Sequence, residues 1–573
     1  MECKAKKAAA IFLALVLLSA CTSPAIEPET VDVGGTAVAL VPLDDRPDNV
    51  ECAAYIAQMN GYKVLLPETD LYATKLNAQP PNGNGTQYGN RAALYEWLIM
   101  QEQNGCDRYV ICLDQLLSGG LVSSRAMTGT QNITLSDGST YSEAELLAKL
   151  VEALSRDENN RVWLLDTVMR LAPTVGYLDW NASDYDSIRA YASEPRQELE
   201  NNSLDGVTAL YRMGADGTEI PASGFGVSGE KLSAYLEARQ RKLSLTDEAL
   251  NIVSEQNNDI FRVLIGIDDS SEAECIQKNE ISYIESCLRE NDTLLSGVDD
   301  LEFKALSRMY LDDISWEGAE VELRYFGGLE DEAACVYDYR PLSETVTEHL
   351  EFFDLHLKTT DALQVLILTK PENESTAEEY CDELISAINE NQRKHIPTIL
   401  IDASDRQYGD FFREKLRKEA DIGALIGYAG FLDMAIVTGT ALSRGVSRYA
   451  GLMQGGVTDA ANKAYMKMMT DAVVRDFAYV GEVRDKVSQK VTDSFGGSTA
   501  NFFEPEIDAE KLTDFMSSQM KKSAAPVIRN LENSEYISSL SDYNTESWGE
   551  IELRDFNFPW NRAFEIRMKI SIN

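Results

Sequence analysis

Histidine is almost absent from this chain. There are three in 573 residues, His349, His356 and His395, and none falls at the end of a predicted strand. A Ser-His-Asp triad, a Cys-His dyad and a histidine-rich zinc site are therefore not expected. Positive charge is scarce as well. Lys and Arg total 52 against 94 Asp and Glu, a net charge of −42. Such a surface repels nucleic acid and anionic lipid, so no nucleic-acid partner is expected. The 9 cysteines have no CxxC spacing. With Cys3 in the leader and Cys21 given to lipid, seven are left: Cys52, Cys106, Cys112, Cys275, Cys287, Cys335 and Cys381. Buried free thiols are predicted, with a Cys275–Cys287 pair as the alternative. Beyond residue 20 no apolar run is long enough to cross a bilayer. There is no EF-hand loop or Walker motif, and no metal or cofactor is predicted.

The N-terminus carries a processing signal. Lys4, Lys6 and Lys7 precede the apolar run Ala8–Leu18, and Leu18-Ser19-Ala20-Cys21 has the small residues and thiol of a lipobox. This order predicts a lipoprotein signal peptide over 1–20, lipidation of Cys21 and a flexible tether over 21–36. The expected location is the extracytoplasmic face of a bacterial cell membrane, with membrane contact through the lipid anchor alone.

The body of the chain alternates short apolar runs with amphipathic segments. Strands are predicted at Ala37–Leu43, Lys63–Pro67, Arg108–Leu113, Arg161–Leu165, Arg262–Ile267, Val321–Phe326, Gln364–Thr369, Thr398–Ile401 and Ala424–Tyr428. Most are continuously apolar, as in parallel sheets covered on both faces. The fold class is thus α/β with a mostly parallel sheet. A count near eight or nine favours a (β/α) barrel, with two doubly wound α/β domains as the alternative. The main region is placed at 37–480, with a subdivision near 295–320, and a C-terminal α+β appendage at 481–573. An internal echo, Asp44-Asp45-Arg46-Pro47 against Asp338-Tyr339-Arg340-Pro341, favours the two-domain alternative.

Five apolar runs end in polar, mostly acidic residues: at Asp44-Asp45-Arg46, Asp114-Gln115, Asp166 to Arg170, Asp268-Asp269 and Asp402. The carboxyl ends of parallel strands form the ligand-binding edge of such sheets. Carboxylates gathered there need a cation, an Arg, a proton or a polar substrate beside them. Asp268 and Asp269 are the candidate catalytic pair, since two close carboxyls cannot both ionise cheaply and one can serve as an acid. Helix capping near Ser271 is the competing use. Asp44, Asp45, Arg46, Asp114, Arg125 and Arg170 are the candidate substrate-binding residues. Ser118-Gly119-Gly120 either offers backbone N–H groups to a ligand or makes a tight turn. Asp402 is assigned to a loop or cap.

Together these strings resemble a known family. Val41-Pro42-Leu43-Asp44-Asp45-Arg46-Pro47, Leu113-Asp114 with Ser118 to Arg125, Met169-Arg170-Leu171-Ala172-Pro173-Thr174 and Gly266-Ile267-Asp268-Asp269 are similar to the bacterial family labelled domain of unknown function 4127. Gly427-Tyr428-Ala429-Gly430, Thr438-Gly439-Thr440-Ala441-Leu442 and Phe558-Pro559-Trp560-Asn561-Arg562 continue the likeness to the chain's end. The resemblance implies a bacterial, often secreted or lipid-anchored protein without a settled activity. It also implies Trp-Asn after Gly430 and a further Asn soon after, where Phe431-Leu432-Asp433 and Ile436-Val437 stand here. If those Asn side chains bind substrate in relatives, this member has changed specificity or lost activity. From the residues themselves, an inventory of acids without histidine suits a glycoside hydrolase-like enzyme acting on carbohydrate or another small polar ligand. A non-catalytic solute- or glycan-binding lipoprotein is the alternative, and a metal-dependent hydrolase a weaker third.

Overall fold

The computed structural model describes residue 28 and residues 30–573, apart from 257–258, 272–273, 333–334, 405, 431–432, 501, 503, 505 and 543. The signal peptide, Cys21 and the tether up to residue 27 lie outside the described residues.

Two parallel sheets organise the chain. The first contains β1 (Ala37–Val41), β2 (Lys63–Leu65), β3 (Arg108–Cys112), β4 (Arg161–Val168), β5 (Phe261–Ile267) and β6 (Thr293–Ser296) in the order β2-β1-β3-β4-β5-β6. The second contains β7 (Ala319–Phe326), β8 (Leu355–Leu357), β9 (Gln364–Thr369), β10 (Thr398–Ala403) and β11 (Gly427–Gly430) in the order β8-β7-β9-β10-β11. In each sheet the first strand lies between the second and third. The chain first winds one way and then the other, leaving a topological switch point beside the first strand. No closed barrel forms, which corrects the preferred expectation in favour of two doubly wound sheets. The nine predicted strands are all present. Closure fails because β7 pairs with β8 and β9, leaving β2 and β6 as open edges. Glu320 and Arg324 on β7 reach solvent, whereas a barrel strand is covered inside and out.

Strand periodicity builds the cores. Val38 and Leu40 of β1 enter one hydrophobic cluster, and Ala39 and Val41 enter another on the opposite face. In β9, Leu366 and Leu368 join the first of these clusters, while Val365 and Ile367 face a third. One continuous core thus covers a face of each sheet. Its helices include Ala53–Met59, Leu301–Asp313, Ala377–Arg393 and Asp459–Val474. This shared layer sets the two sheets side by side. C-terminal helices Ala509–Ser523 and Ala525–Asn533 are followed by two small antiparallel pairs, Glu535–Ser539 with Asn544–Ser547 and Ile551–Asn557 with Arg567–Ile572. The seven described cysteines are free thiols, so Cys275 and Cys287 are not paired.

Candidate functional site

Loops at the carboxyl ends of both sheets border one cleft of about 670 Å³. From the first sheet come residues after β1, β3, β4, β5 and β6, and from the second, residues after β7, β10 and β11. The C-terminal segment returns to the rim with Trp560, Arg562 and Phe564.

On the first wall each acid is matched by an arginine. Asp44 is fully buried and accepts from Arg46 Nε at 2.8 Å and from Asn49 Nδ2 at 2.8 Å. The same guanidinium donates to Asp299 at 2.8 and 3.2 Å and lies 5.2 Å from the centre of the Trp560 ring. Burial alone pushes the Asp299 carboxyl up, but Arg46, with Arg125 and Arg562 behind it, holds it below the ordinary value. Asp268 is buried and paired with Arg125. Burial raises its pKa, with Arg125 opposing and Asp269 adding to the rise. Asp269, more exposed, accepts from Arg170 at 3.3 Å. Arg170 is itself fixed by donating to the carbonyls of Ala172 and Pro173, both at 2.9 Å.

Two of the sequence candidates do not line this cleft. Asp45 is buried and accepts from the Thr74 N–H at 3.0 Å and the Trp560 indole N–H at 2.8 Å, binding the C-terminal segment to the first loop. Asp114 lies beneath the strand ends, 2.9 Å from Lys242 Nζ, and accepts from the Thr167 hydroxyl at 2.7 Å. Asp166 shares Lys242 and accepts from Thr246 at 2.6 Å; it is within β4 because that strand runs on to Val168. Sequence inspection missed Lys242, which comes from the long helix Gly229–Glu255. The same helix supports Arg170, whose carbonyl accepts from Tyr235 and Arg239, both at 3.0 Å. The Gly119 and Gly120 N–H groups donate to the carbonyls of Gln115 at 3.1 Å and Asp114 at 2.9 Å. With φ of +82° and +138°, these glycines make a tight turn rather than a ligand cradle.

The second wall supplies acids that sequence reading did not select. Asp338 accepts from the N–H groups of Met434 and Ala435, both at 3.2 Å. It thereby caps the helix Met434–Gln454, whose first turn favours negative charge. Asp433 accepts from the Cys335 thiol at 2.8 Å. Burial, then the charges of Asp269 and Asp338, push its pKa well above the ordinary carboxylate value. Tyr185 also lines the cleft, beside Arg170.

The Asp-x-Arg-Pro echo has a structural counterpart. Both copies follow the first strand of a doubly wound sheet and precede its first helix, at Asp48 and Leu342. In the second copy Arg340 turns to Glu285, Glu344 and Glu348 instead of its own aspartate. Asp299-Asp300 after β6 is a third Asp-Asp pair at a strand end, beside Asp44-Asp45 and Asp268-Asp269. It was missed because Thr293–Ser296 is only four residues long. Asp402, assigned to a loop or cap, instead lies within β10, because that strand runs on to Ala403; it is buried and accepts from the Ser404 N–H at 3.2 Å.

One metal-ligating grouping occurs among the described residues. Asp48, Cys52 and Asp471 offer atoms within 4.8 Å of one another. Arg475 donates to Asp471 at 2.9 Å and lies 3.6 Å from Asp48, so a guanidinium already meets that charge. The cleft itself can bind a polar ligand through arginines and carboxyls, and exchange protons through carboxyls held in unlike surroundings.

No curated protein matches the chain. The motifs that line the cleft lie inside a match to a family model, and the chain, over residues 38–569, belongs to the family described as "Protein of unknown function (DUF4127)".

Proposed function

We propose that this is a lipid-anchored extracytoplasmic hydrolase of carbohydrate that uses carboxyl groups alone. In this reading Asp269 is the working carboxylate and Asp433 the acid, while Asp268 positions Arg125. The observation that supports it is the contrast across one cleft. Asp269 is ion-paired with Arg170 at 3.3 Å, and Asp433 accepts a hydrogen bond from a thiol and has its pKa raised by burial and neighbouring acids. Two carboxyls with opposed environments are what acid–base hydrolysis of a glycosidic bond requires. Arg46, Arg125 and Arg562 on the cleft walls suit hydroxyl-rich ligands. The lipobox at Leu18 to Cys21 supports the anchoring.

A second reading, a solute- or glycan-binding lipoprotein, is favoured by the arginine partner that each acid of the first wall already has. Turnover of a panel of chromogenic glycosides and polysaccharides by the full chain separates the two. Hydrolysis that falls at least a hundredfold in both Asp269→Asn and Asp433→Asn supports the enzyme. Saturable binding without turnover would replace it with the binding protein.

A further inference from the structure

Beside the cleft lies a small chamber of about 60 Å³, which shares Arg46, Asp299, Ile436 and Phe564 with the cleft wall. A water needs about 10–15 Å³ by this kind of measure, so the chamber has room for about four non-hydrogen atoms. Its lining is of two kinds. Phe303, Val437 and Ala472 are buried and apolar. Thr440 and Arg444 are buried and polar, and the Thr440 hydroxyl and Arg444 Nε have no hydrogen-bond partner among the described residues. They are four residues apart on the helix Met434–Gln454 and so share one face. Arg444 is held by donating through Nη1 to the Tyr428 carbonyl at 2.7 Å.

Two buried donors without acceptors in one chamber are costly unless something accepts from them, about 1–3 kcal/mol for each. The charge of the walls selects among acceptors. Arg46, Arg444 and Arg475 face Asp48, Asp299, Asp476 and Glu565. Arg46 is already engaged by Asp44 and Asp299, and Arg475 by Asp471. With two of the three arginines already paired, the walls have little surplus positive charge to balance a carboxylate or phosphate, which favours a neutral acceptor.

We propose that the chamber is a subsite for the acetamido group of an N-acetylated sugar bound in the cleft. An acetamido group has four non-hydrogen atoms. Its carbonyl oxygen accepts from Thr440 Oγ1 and Arg444 Nε, and its methyl group packs on Phe303, Val437 and Ala472. This assignment rests on the carbohydrate reading of the cleft and adds a substrate class to it.

The test is calorimetric titration of the full chain with N-acetylglucosamine and with glucose, repeated for Thr440→Val and Ala472→Leu. The first variant removes a donor at nearly constant shape, and the second fills the chamber. The expected result is a preference for the N-acetylated sugar of at least tenfold, reduced about tenfold by Thr440→Val and abolished by Ala472→Leu. Equal binding of the two sugars means that the chamber holds water only; it overturns the subsite and leaves the carbohydrate reading standing. A preference undiminished in both variants places the acetamido group elsewhere and also overturns the subsite. Binding of neither sugar overturns the subsite together with the carbohydrate reading.

Discussion

Glu302 makes the stability of this protein fall as pH rises. The residue is fully buried in the first turn of the helix Leu301–Asp313. Its Oε1 accepts from the Leu43 N–H at 2.7 Å and from the Cys112 thiol at 3.4 Å, whereas Oε2 has no hydrogen-bond partner among the described residues. Burial, with a further contribution from the Asp44 charge, lifts its pKa from the ordinary 4.5 to about 8. The folded state therefore binds the proton more tightly than the unfolded chain. Its contribution is complete below pH 4.5 and is lost as pH rises through about 8. At about 1.4 kcal/mol for each tenfold in proton affinity, the whole effect is about 5 kcal/mol. Most of it, about 4 kcal/mol, is lost between about pH 5 and pH 8. Glu302→Gln keeps the acceptor for Leu43 and places an amide where the protonated oxygen stood. Urea unfolding of both proteins across that pH range is the assay, and the quantity is the difference between them at each pH. Asp300 and Asp476, each pushed up to about 7 chiefly by burial, act in the same direction but are present in both proteins. Their effect cancels to the extent that the sites are independent. The wild type is expected to lose about 4 kcal/mol relative to the variant on going from about pH 5 to pH 8. A difference that stays flat across the range would refute the reasoning.

Gly439→Ala is expected to destabilise by about 1–3 kcal/mol or more, measured as a shift in urea midpoint, because an added Cβ would lie 1.9 Å from Asp300 Oδ2 and 2.4 Å from Lys304 Cε. Lys242→Met leaves Asp114 and Asp166 buried without their shared cation and should cost about 3–5 kcal/mol at neutral pH. That deficit should shrink on acidification as Asp166, whose pKa burial pushes up, takes a proton, so unfolding curves at falling pH should bring variant and wild type closer.

Much of the architecture was legible because it rests on local periodicity. Continuous apolar runs such as Arg108–Leu113 and Gln364–Thr369 can be satisfied only in strands buried on both faces, and both are strands here. The short strands Thr293–Ser296 and Leu355–Leu357 escaped because four and three residues carry too little pattern to stand above their surroundings. The Asp-x-Arg-Pro echo marked the loops that follow the first strand of each sheet. It could not give the partners of those side chains, which lie far along the chain: Asp299 for Arg46 and Trp560 for Asp45.

From the sequence by itself came the α/β class, the family, the acidic strand ends and the arginines that follow them, since each depends on residues near one another in the chain. Strand order was a matter for the tertiary structure. Eight or nine parallel strands serve a barrel or two open sheets equally well, and only the pairing of β7 with β9 instead of β6 separates them. Burial and long-range pairing also decided which acids share a cleft. Asp114 and Asp166 turned inward because Lys242 meets them there, while Asp433 joined Asp269 at the cleft because the second sheet packs against the same core as the first. Contacts between residues hundreds of positions apart are fixed by the packing of whole layers, and no local pattern encodes them.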